Sequence, residues 1–416
     1  MGNDWEKTTI GNFCPFKYGK GLPEKNRNTN GNVKVYGSNG AVGVHDQALV
    51  DGPGIIIGRK GTVGTVTFSP APFWPIDTTY YVTVDSETRD LRYTYYLLKF
   101  LGLERMDADS AVPGLNRDAA HEKIIKVCPL PEQRAIAHIL GSLDDKIELN
   151  LRMNATLEVI AQAIFKSWFV DFDPVRAKAE GRQPEGMDAE TAALFPDEFE
   201  VVDGREVPKG WEISTIGEEV QVFGGSTPST KNPEFWDNGF IPFATPKVMA
   251  SLRSPVLLET ERYITEAGLE EISSRLLPNG TVLLSSRAPI GYLAIAKTPV
   301  AVNQGIIAMI CNKKLSNYYV LHWTRENMER IKANANGSTF QEISKKNFRP
   351  IKMIVPSPEI VKEHDKFQHA IYELITNNVQ QSRTLAEIRD TLLPKLISGE
   401  IRVPINDEQI EEGITT

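Results

Sequence analysis

The residue types that support covalent or metal chemistry are few in this 416-residue chain, and they are widely spaced. Its three cysteines form no Cys-x-x-Cys pair, which argues against a disulfide framework and against a structural zinc site. Of the six histidines only His364 and His369 lie close together, and a solvated helix face explains that pair better than a metal site does. The sequence therefore predicts no metal centre and no catalytic residue.

Two short motifs could indicate chemistry on a cofactor. The segment NPEF, residues 232–235, is similar to the Asn-Pro-Pro-aromatic loop of adenine methyltransferases, but a glutamate replaces the second proline. The segment FGG, residues 223–225, is too short for a cofactor-binding glycine loop, and the chain contains no GxxxxGK[ST] segment to bind a nucleotide. We interpret both motifs as turns, so we expect this chain to bind no cofactor.

Recognition chemistry is better represented, in loops that combine small, hydroxyl or amide residues with Lys or Arg. Such loops allow close backbone approach, offer hydrogen bonds to base edges, and place cations against guanine or phosphate. A glycine turn with solvated side chains explains any one of these residues equally well. In the first half of the chain the DNA-binding candidates are Lys34, Tyr36, Ser38, Asn39, Arg59, Lys60 and Thr62. In the second half they are Thr245, Lys247, Ser285, Ser286, Arg287, Ser338, Phe340 and Gln341.

The net charge of −8 is unevenly distributed, which matters for a nucleic-acid ligand. Residues 171–209 carry eleven acids against five bases and residues 400–416 carry five acids against one, which leaves a charge of +2 for the remainder. Only cations that face phosphates release counterions, so a near-neutral body with basic loops can bind DNA. The apolar runs are far shorter than the ~20 residues of a membrane span and no signal-peptide core is present, so we expect a cytoplasmic protein without a membrane partner.

The chain repeats itself. WEKTTIG at residues 5–11 recurs as WEISTIG at residues 211–217, with five identities at an offset of 206. Farther on Gly54 aligns with Gly280 at an offset of 226, so the second copy has gained about twenty residues. Each copy begins with short β-rich runs and ends in a helical stretch, and equivalent loops in both copies carry Lys or Arg.

Each copy ends in a long apolar stripe at helical spacing. Helices of about 33 residues, ~50 Å long at 1.5 Å per residue, are too long to pack only on domains of this size. We expect them to pair as an antiparallel coiled coil in which Asn150 and Asn378 face each other and fix the register. The stripe residues expected to form this pair and to bind partner subunits are Leu143, Ile147, Leu157, Ile164, Trp168, Leu374, Leu385, Ile388 and Leu392.

These patterns predict an α+β chain with two mixed, strand-rich domains in a pseudo-two-fold arrangement, separated by two long antiparallel helices that form a coiled coil. The acidic segment between the copies is broken by prolines, so we expect it to be a partly ordered connection. The predicted segments are a recognition domain at 1–130, a long helix at 131–172, the acidic linker at 173–208, a second recognition domain at 209–358, a second long helix at 359–402 and an acidic tail at 403–416.

Two segments resemble conserved regions of type I restriction-modification specificity subunits. The central conserved region is matched by PLPEQRAIAHILGSLDDKIELNLRMNATLEVIAQAIFKSWFVDFDPV, from Pro129 to Val175, and the C-terminal one by LAEIRDTLLPKLISGEIRV, from Leu385 to Val403. The resemblance implies two target recognition domains that each read one half of a split DNA site, and helices that set the gap and dock methyltransferase subunits. It also implies two modification subunits and, for cleavage, two restriction subunits, on which S-adenosylmethionine, ATP and Mg²⁺ are expected.

We therefore expect a non-catalytic subunit that binds double-stranded DNA and whose unequal domains read two different half-sites. Readers ~50 Å apart would address half-sites separated by more than one duplex turn of about 34 Å, with an unread spacer between them. A self-contained DNA methyltransferase or nuclease is the enzyme alternative, which methyl transfer by the purified chain alone would favour. A coiled-coil scaffold without a nucleic-acid role is the other alternative, and it predicts weak DNA association that does not depend on salt.

Overall fold

The computed structural model describes residues 5–106, 114–337 and 341–403. The chain divides into two compact units, and each unit combines one strand-rich domain with halves of both long helices. Unit 1 consists of residues 1–148 and 382–416, and unit 2 of residues 149–381. Within the described ranges, no helix is long and apolar enough to cross a membrane.

Unit 1 contains a four-stranded sheet, a three-stranded sheet and a pair of strands that closes the domain. Its elements are β1 (Glu6–Thr9), α1 (Ile10–Phe13), β2 (Lys17–Tyr18), β3 (Val33–Gly37), β4 (Gly40–His45), β5 (Gly54–Gly58), β6 (Val66–Ser69), β7 (Phe73–Pro75), β8 (Thr79–Val82), α2 (Leu91–Phe100), α3 (Arg117–Glu122), β9 (Ile124–Val127) and the long helix α4 (Leu130–Phe169), whose first half belongs to this unit. The strand orders are β2-β8-β5-β6 and β4-β3-β7, and β1 pairs antiparallel with β9.

The central strand β5 is apolar throughout because both faces of its sheet are covered. Ile55 and Ile57 pack in the main core of unit 1, which includes Tyr93 and Leu97 of α2. Ile56 points the other way, into a small cluster with Phe73. A continuous apolar run is typical of a strand buried on both faces, whereas a half-exposed strand alternates. The inner part of this sheet is therefore fixed by packing on both faces.

Unit 2 contains a five-stranded sheet, a three-stranded sheet and an equivalent closing pair. Its elements are α5 (Asp173–Ala179), α6 (Ala189–Ala193), β10 (Phe199–Val202), β11 (Arg205–Pro208), β12 (Glu212–Thr215), α7 (Ile216–Glu219), β13 (Gln221–Gly224), β14 (Ile241–Ala244), α8 (Pro246–Ser251), β15 (Val256–Leu257), β16 (Tyr263–Ile264), α9 (Glu266–Glu270), β17 (Val282–Ser285), β18 (Leu293–Ala296), β19 (Ala301–Val302), β20 (Ile306–Ile310), α10 (Asn317–Glu326), α11 (Met328–Ala333), α12 (Lys345–Phe348), β21 (Lys352–Val355) and the long helix α13 (Pro358–Ser398), whose second half lies in unit 1. The strand orders are β13-β20-β17-β18-β15 and β16-β14-β19, and β12 pairs with β21.

The two domains share one topology, so the internal repeat is a repeat of structure. The order β2-β8-β5-β6 recurs as β13-β20-β17-β18, and the parallel pair β3–β7 recurs as β14–β19. Where unit 1 turns directly from β3 to β4, unit 2 inserts α8 and β15, which adds the fifth strand. The prediction of two mixed, strand-rich domains with long helices is confirmed, and the extra residues of the second copy are located.

The hydrogen-bonded register corrects the sequence alignment by one residue. Ile55 pairs with Val82 and Val282 pairs with Met309 at equivalent places in the two sheets. Gly54 is therefore equivalent to Thr281, and its alignment with Gly280 was wrong. Gly280 lies in the turn before β17 with a φ of +88°, a conformation that favours glycine for a local reason.

The long helices are longer than the apolar stripes of about 33 residues, but they end before the predicted segment boundaries at 172 and 402. α4 has 40 residues and α13 has 41, which corresponds to ~60 Å each at 1.5 Å per residue. The predicted starts at 131 and 359 each lie within one residue of the observed starts, although the first turns carry Pro131 and Pro358. Proline is tolerated in the first turn, where its missing N–H would have no partner inside the helix.

Within unit 2 the two helices run antiparallel and meet through a layer of amides. Asn150 donates from Nδ2 to Gln381 Oε1 at 2.9 Å and to the main-chain oxygen of Asn378 at 3.4 Å. The Asn378 amide in turn donates to Asn154 Oδ1 at 2.9 Å. Asn150 and Asn378 do meet, but the side chain of Asn378 bonds to Asn154, which the stripe did not single out. Ion pairing between Asp144 and Arg389 joins the antiparallel helix halves that belong to unit 1.

The acidic segment is folded, and the expectation that it is only partly ordered was wrong. It forms α5, α6 and the hairpin β10–β11. Phe172, Val175 and Phe195 from this segment are buried in the core of unit 2 with Trp168 and Trp211. The acidic side chains of this segment lie at the surface of unit 2, while its apolar side chains pack in the core. Residues 404–416, most of the predicted acidic tail, lie outside the described residues.

Candidate nucleic-acid interface

In unit 1 the loop between β5 and β6, residues 58–64, is closed by its own main chain. Gly58 N donates to Thr65 O at 2.9 Å, and Gly58 O accepts from Gly64 N at 2.8 Å. A Cβ on Gly58 would lie 2.1 Å from a carbonyl oxygen of the loop, so no other residue fits there without a shift. The closed loop presents Lys60 to solvent.

Two neighbouring segments are tied to this loop. Ser38, in the turn between β3 and β4, donates its hydroxyl to the main-chain oxygens of Lys60 and of Thr78, the latter at 2.7 Å. Arg59 donates from its main chain to Thr78 O at 2.9 Å and from Nη1 to Asp77 O at 3.2 Å. The hydroxyl of Ser38 thus supports the loop, while the side chains of Arg59 and Lys60 remain at its rim.

Sequence reasoning missed two residues at this rim, Tyr18 and Arg117. Tyr18 is 49% exposed at the end of the edge strand β2, and its ring centroid lies 5.0 Å from the guanidinium carbon of Arg59 and 5.0 Å from that of Arg117. Arg117 is the first residue of α3, behind the N-cap Asn116. A guanidinium against an aromatic ring is favourable and restricts its orientation. One sequence signal existed, because Arg117 and Lys345 occupy matching places in the two copies.

In unit 2 the equivalent loop, residues 285–291, is closed by a side chain as well. Ser285 Oγ accepts from Gly291 N at 3.1 Å and from Tyr292 N at 2.8 Å, and it donates to Pro289 O at 2.8 Å. Ser285 is 0% exposed. The main chain repeats the pattern of unit 1, since Ser285 N donates to Tyr292 O and Ser285 O accepts from Gly291 N.

Arg287 takes in unit 2 the place that Lys60 has in unit 1. Lys60 is two residues after Gly58, and Arg287 is two residues after the equivalent Ser285. Each forms an isolated β-bridge, Lys60 with Gly114 and Arg287 with Glu342. The guanidinium of Arg287 lies 3.7 Å from the Glu342 carboxylate, and both side chains are more than a third exposed. Such an exposed pair contributes little to stability, so Arg287 is available to exchange the carboxylate for a phosphate.

The rim of unit 2 also carries Lys345, the first residue of α12 behind the N-cap Ser344. The ammonium of Lys345 is 3.3 Å from the point where a Cβ on Gly224 would lie. Gly224 occupies the place of Tyr18, because each is the last residue of its edge strand, Tyr18 opposite Tyr80 and Gly224 opposite Ile307. Both copies therefore set a cation from a short helix against the end of the edge strand.

The family of the chain follows from comparison with known proteins. Residues 2–159 and 208–389 match the family described as Type I restriction modification DNA specificity domain. The chain belongs to this family. The type I restriction enzyme HindI specificity subunit of Haemophilus influenzae is 33% identical over 330 residues, which are 70% of this chain and 71% of that protein. The MjaIX specificity subunit of Methanocaldococcus jannaschii is 39% identical over 193 residues, 46% of this chain and 44% of that one.

A solved structure shows the same fold. The S subunit of a type I restriction-modification system from M. genitalium superposes with a TM-score of 0.58 at 19% identity, over 95% of this chain and 97% of that one. Membership of the specificity family agrees with the resemblance carried by residues 129–175 and 385–403. The recognition of DNA sequence is the role of this family.

Three predicted DNA contacts of this specificity subunit are wrong because their side chains are buried. Tyr36 packs in the small cluster of unit 1, with its ring 6.0 Å from that of Phe73. The hydroxyl of Ser285 forms the hydrogen bonds that close its own loop. Ser286 is also buried, and its main chain bonds to Gly305 O at 2.8 Å and Ile343 N at 3.0 Å. These residues shape the loops, and they cannot reach a base in this conformation.

The other predicted contacts remain predictions. Thr245 Oγ1 caps α8 and is half-buried, whereas Lys247 is exposed and pairs with Glu261 at 3.0 Å. Ser338 and Phe340 lie outside the described residues. Those with exposed side chains are Lys34, Asn39, Lys60, Thr62, Lys247 and Gln341.

The apolar helix stripe divides into covered and uncovered residues. Trp168, expected to bind a partner, is covered by its own chain, with its ring 5.2 Å from that of Phe195. Leu374 and Ile388 are 52% and 43% exposed, and Val159 is exposed as well. The half-buried members are Leu143, Ile147, Leu157, Ile164, Leu385 and Leu392.

Burial keeps the three thiols and His322 in their neutral forms. Burial raises the pKa of the Cys14, Cys128 and Cys311 thiols to about 12, so none is a thiolate at neutral pH. Burial lowers the pKa of His322 to about 3, which keeps it neutral. Among residues 5–106, 114–337 and 341–403, no three His, Cys, Asp or Glu side chains are grouped to hold a metal ion.

Proposed function

We propose that this chain is the non-catalytic, sequence-reading subunit of a type I restriction-modification complex. Each recognition domain reads one half of a bipartite, asymmetric DNA target. The helices α4 and α13 set the length of the unread spacer and dock two methyltransferase subunits, which restriction subunits join for cleavage. S-adenosylmethionine, ATP and Mg²⁺ are then bound by the partner subunits.

One observation carries this proposal: the same closed loop is built twice, with a cation at the same place and different surroundings. Lys60 and Arg287 follow identical main-chain closures at residues 58–64 and 285–291. The same loop main chain in both domains is suited to the same kind of DNA contact, because DNA presents the same backbone to both domains. The side chains around the two loops differ, which is suited to the recognition of two different base sequences.

The helices suit a spacer because their length and register are fixed. Each is continuous for 40 or 41 residues, and amide hydrogen bonds among Asn150, Asn154 and Asn378 lock the pair in unit 2. Polar residues at such core positions specify register. The exposed apolar side chains of Leu374 and Ile388 supply surface for the methyltransferase subunits.

The test exchanges one domain at a time in a complex reconstituted with its methyltransferase subunits. Residues 10–123 are replaced by the corresponding segment of the Haemophilus influenzae relative, and the methylated adenines are mapped. Because β1 and β9 stay in place and keep their pairing, the exchanged segment keeps its attachment to the chain next to α4. We expect one half-site to change while the other half-site and the spacer stay the same.

The reciprocal exchange of residues 216–351, between β12 and β21, is the matched control and should change only the other half-site. A change in both halves, or in neither, would contradict the proposal. Methyl transfer by the purified chain alone would instead support a self-contained enzyme. DNA binding that does not weaken between about 50 and 200 mM salt would support the scaffold alternative.

A further inference from the structure

We infer that Tyr18 holds Arg59 as a fixed guanidinium fork that reads a guanine in the half-site of the first domain, while Arg117 on the same ring binds a backbone phosphate. The inference rests on the proposed function and assigns chemistry to individual residues of that interface. Arg59 is the base-reading residue, and Tyr18 is a positioning residue that acts through it.

The Arg59 guanidinium is held on three sides. Its carbon lies 5.0 Å from the centroid of the Tyr18 ring and 5.8 Å from that of Tyr80, and its Nη1 donates to Asp77 O at 3.2 Å. Tyr80 is itself fixed, since its hydroxyl donates to Leu115 O at 3.0 Å. The hydrogen bond to Asp77 occupies one of the five N–H donors of the guanidinium. A planar fork held this way is pre-organised for the paired acceptors O6 and N7 of guanine.

The second copy of the domain separates base contacts from phosphate contacts. Arg59 N donates to Thr78 O at 2.9 Å as Ser286 N donates to Gly305 O at 2.8 Å, so Arg59 is equivalent to the buried Ser286. Tyr18 is equivalent to Gly224 by strand pairing. Domain 2 therefore has neither the ring nor the Arg at the two equivalent positions, 224 and 286.

The cation of the short helix is kept in both copies, as Arg117 and as Lys345. A contact to the phosphate backbone is useful whatever the base sequence, and a point charge suffices for it. Position 117/345 meets that description because Lys and Arg both serve there. At this position of the fold the fork and its supporting ring occur in the first domain and not in the second, which fits a contact that distinguishes one half-site from the other.

The experiment uses the complex with methyltransferase subunits, and a target in which each base pair of the mapped half-sites is substituted in turn. Arg59→Lys keeps the charge and removes the fork. We expect it to reduce discrimination about tenfold or more at one G·C pair of the first half-site, with every other pair and the salt dependence unchanged. Tyr18→Ala should do the same, and Tyr18→Phe, which keeps the ring, should retain wild-type discrimination.

Arg117→Ala should weaken binding to all sequences alike and reduce the slope of log K against log salt by about one, while Arg117→Lys should bind nearly as the wild type does. Arg182→Lys, in the acidic segment, is the matched control for the Arg-to-Lys change. Melting curves verify folding, and Tyr18→Leu replaces Tyr18→Ala if the latter does not assemble.

Unchanged discrimination at every base pair in Arg59→Lys would overturn the inference. Uniform weakening with a reduced salt slope would also overturn it, because it would make Arg59 a phosphate contact. These results differ from failure of the proposed function itself, in which the wild-type complex would have no bipartite target and the domain exchanges would leave both half-sites as they were.

Discussion

Removal of the buried Ser285 hydroxyl should impair recognition by the second domain, although this side chain faces no ligand. Its Oγ makes three hydrogen bonds that close the loop 285–291. In Ser285→Ala, Gly291 N keeps its main-chain partner at 3.2 Å, but Tyr292 N and Pro289 O lose the bonds they make with the hydroxyl. The loop that presents Arg287 would then lose its side-chain closure.

The size of the effect follows from those two groups. A hydrogen bond contributes about 1 kcal/mol net, and a buried group left without a partner costs about 1–3 kcal/mol. Two such groups shift the equilibrium between closed and open loop by roughly 2–3 kcal/mol, or about 30- to 150-fold. Apparent affinity falls with the fraction of closed loop, so we expect weaker binding, by up to about 30- to 150-fold.

The assay measures affinity of the reconstituted complex for its mapped target, by fluorescence anisotropy, for Ser285→Ala, Arg287→Ala and the double variant. Arg287→Ala alone should impair binding to the half-site read by domain 2. The double variant should be little worse than either single one, because an open loop already misplaces Arg287. Ser251→Ala is the control, since its exposed hydroxyl bonds only to Val248 O at 2.8 Å in the same domain. Full affinity of Ser285→Ala, or strictly additive losses, would refute the reasoning.

Three further predictions concern the helices and the cores. Seven residues inserted into both α4 and α13 add ~10 Å and should lengthen the unread spacer by about three base pairs, and methylation mapping that shows altered half-sites would contradict the spacer role. Burial lowers the pKa of His322 to about 3 and also lowers that of His364, so the unfolded chain binds protons that the folded chain does not. The stability that depends on His322 should be full above pH 6.5 and fall toward pH 3 by up to about 1.4 kcal/mol per pH unit, and His364 should add a loss in the same direction. Urea unfolding at pH 7 and 5 should therefore show a flatter dependence in His322→Gln. Glu132 is buried, accepts from Trp5 Nε1 at 3.1 Å and binds Arg402 at 2.7 and 2.9 Å, so Glu132→Ala should lower the free energy of unfolding of unit 1 by about 2–3 kcal/mol, and an unchanged urea midpoint would count against it.

The repeat and the long helices could be predicted because they rest on periodic signals. Spacing at three and four residues identifies a helix without knowledge of its neighbours, and five identities in seven positions identify a second copy. Loop positions such as Lys60 and Arg287 could be found for a similar reason, since glycine or serine beside a cation marks an exposed turn. Their equivalence follows from strand pairing at an offset of 227, one residue more than the offset that aligned Gly54 with Gly280.

Other features depend on contacts between distant residues, which no local pattern records. Ser285 and Ser286 look like polar loop residues, yet they fold inward because the loop closes on a hydroxyl. Tyr18 and Arg117 are brought together by the pairing of β2 with β8 and by the start of α3, nearly a hundred residues away. The acidic segment was misjudged because average composition hides a few well-placed apolar residues such as Phe172 and Phe195.

The main-chain closure of the recognition loops also bears on how new targets can arise. The hydrogen bonds that define residues 58–64 and 285–291 come from backbone N–H and C=O groups at the loop ends, which nearly every residue type possesses. Substitutions at the tip therefore leave the frame intact and change only what it presents. During evolution the residues at the loop tips could change with little loss of folding stability. Mutations are therefore best tolerated at the positions that determine the DNA target.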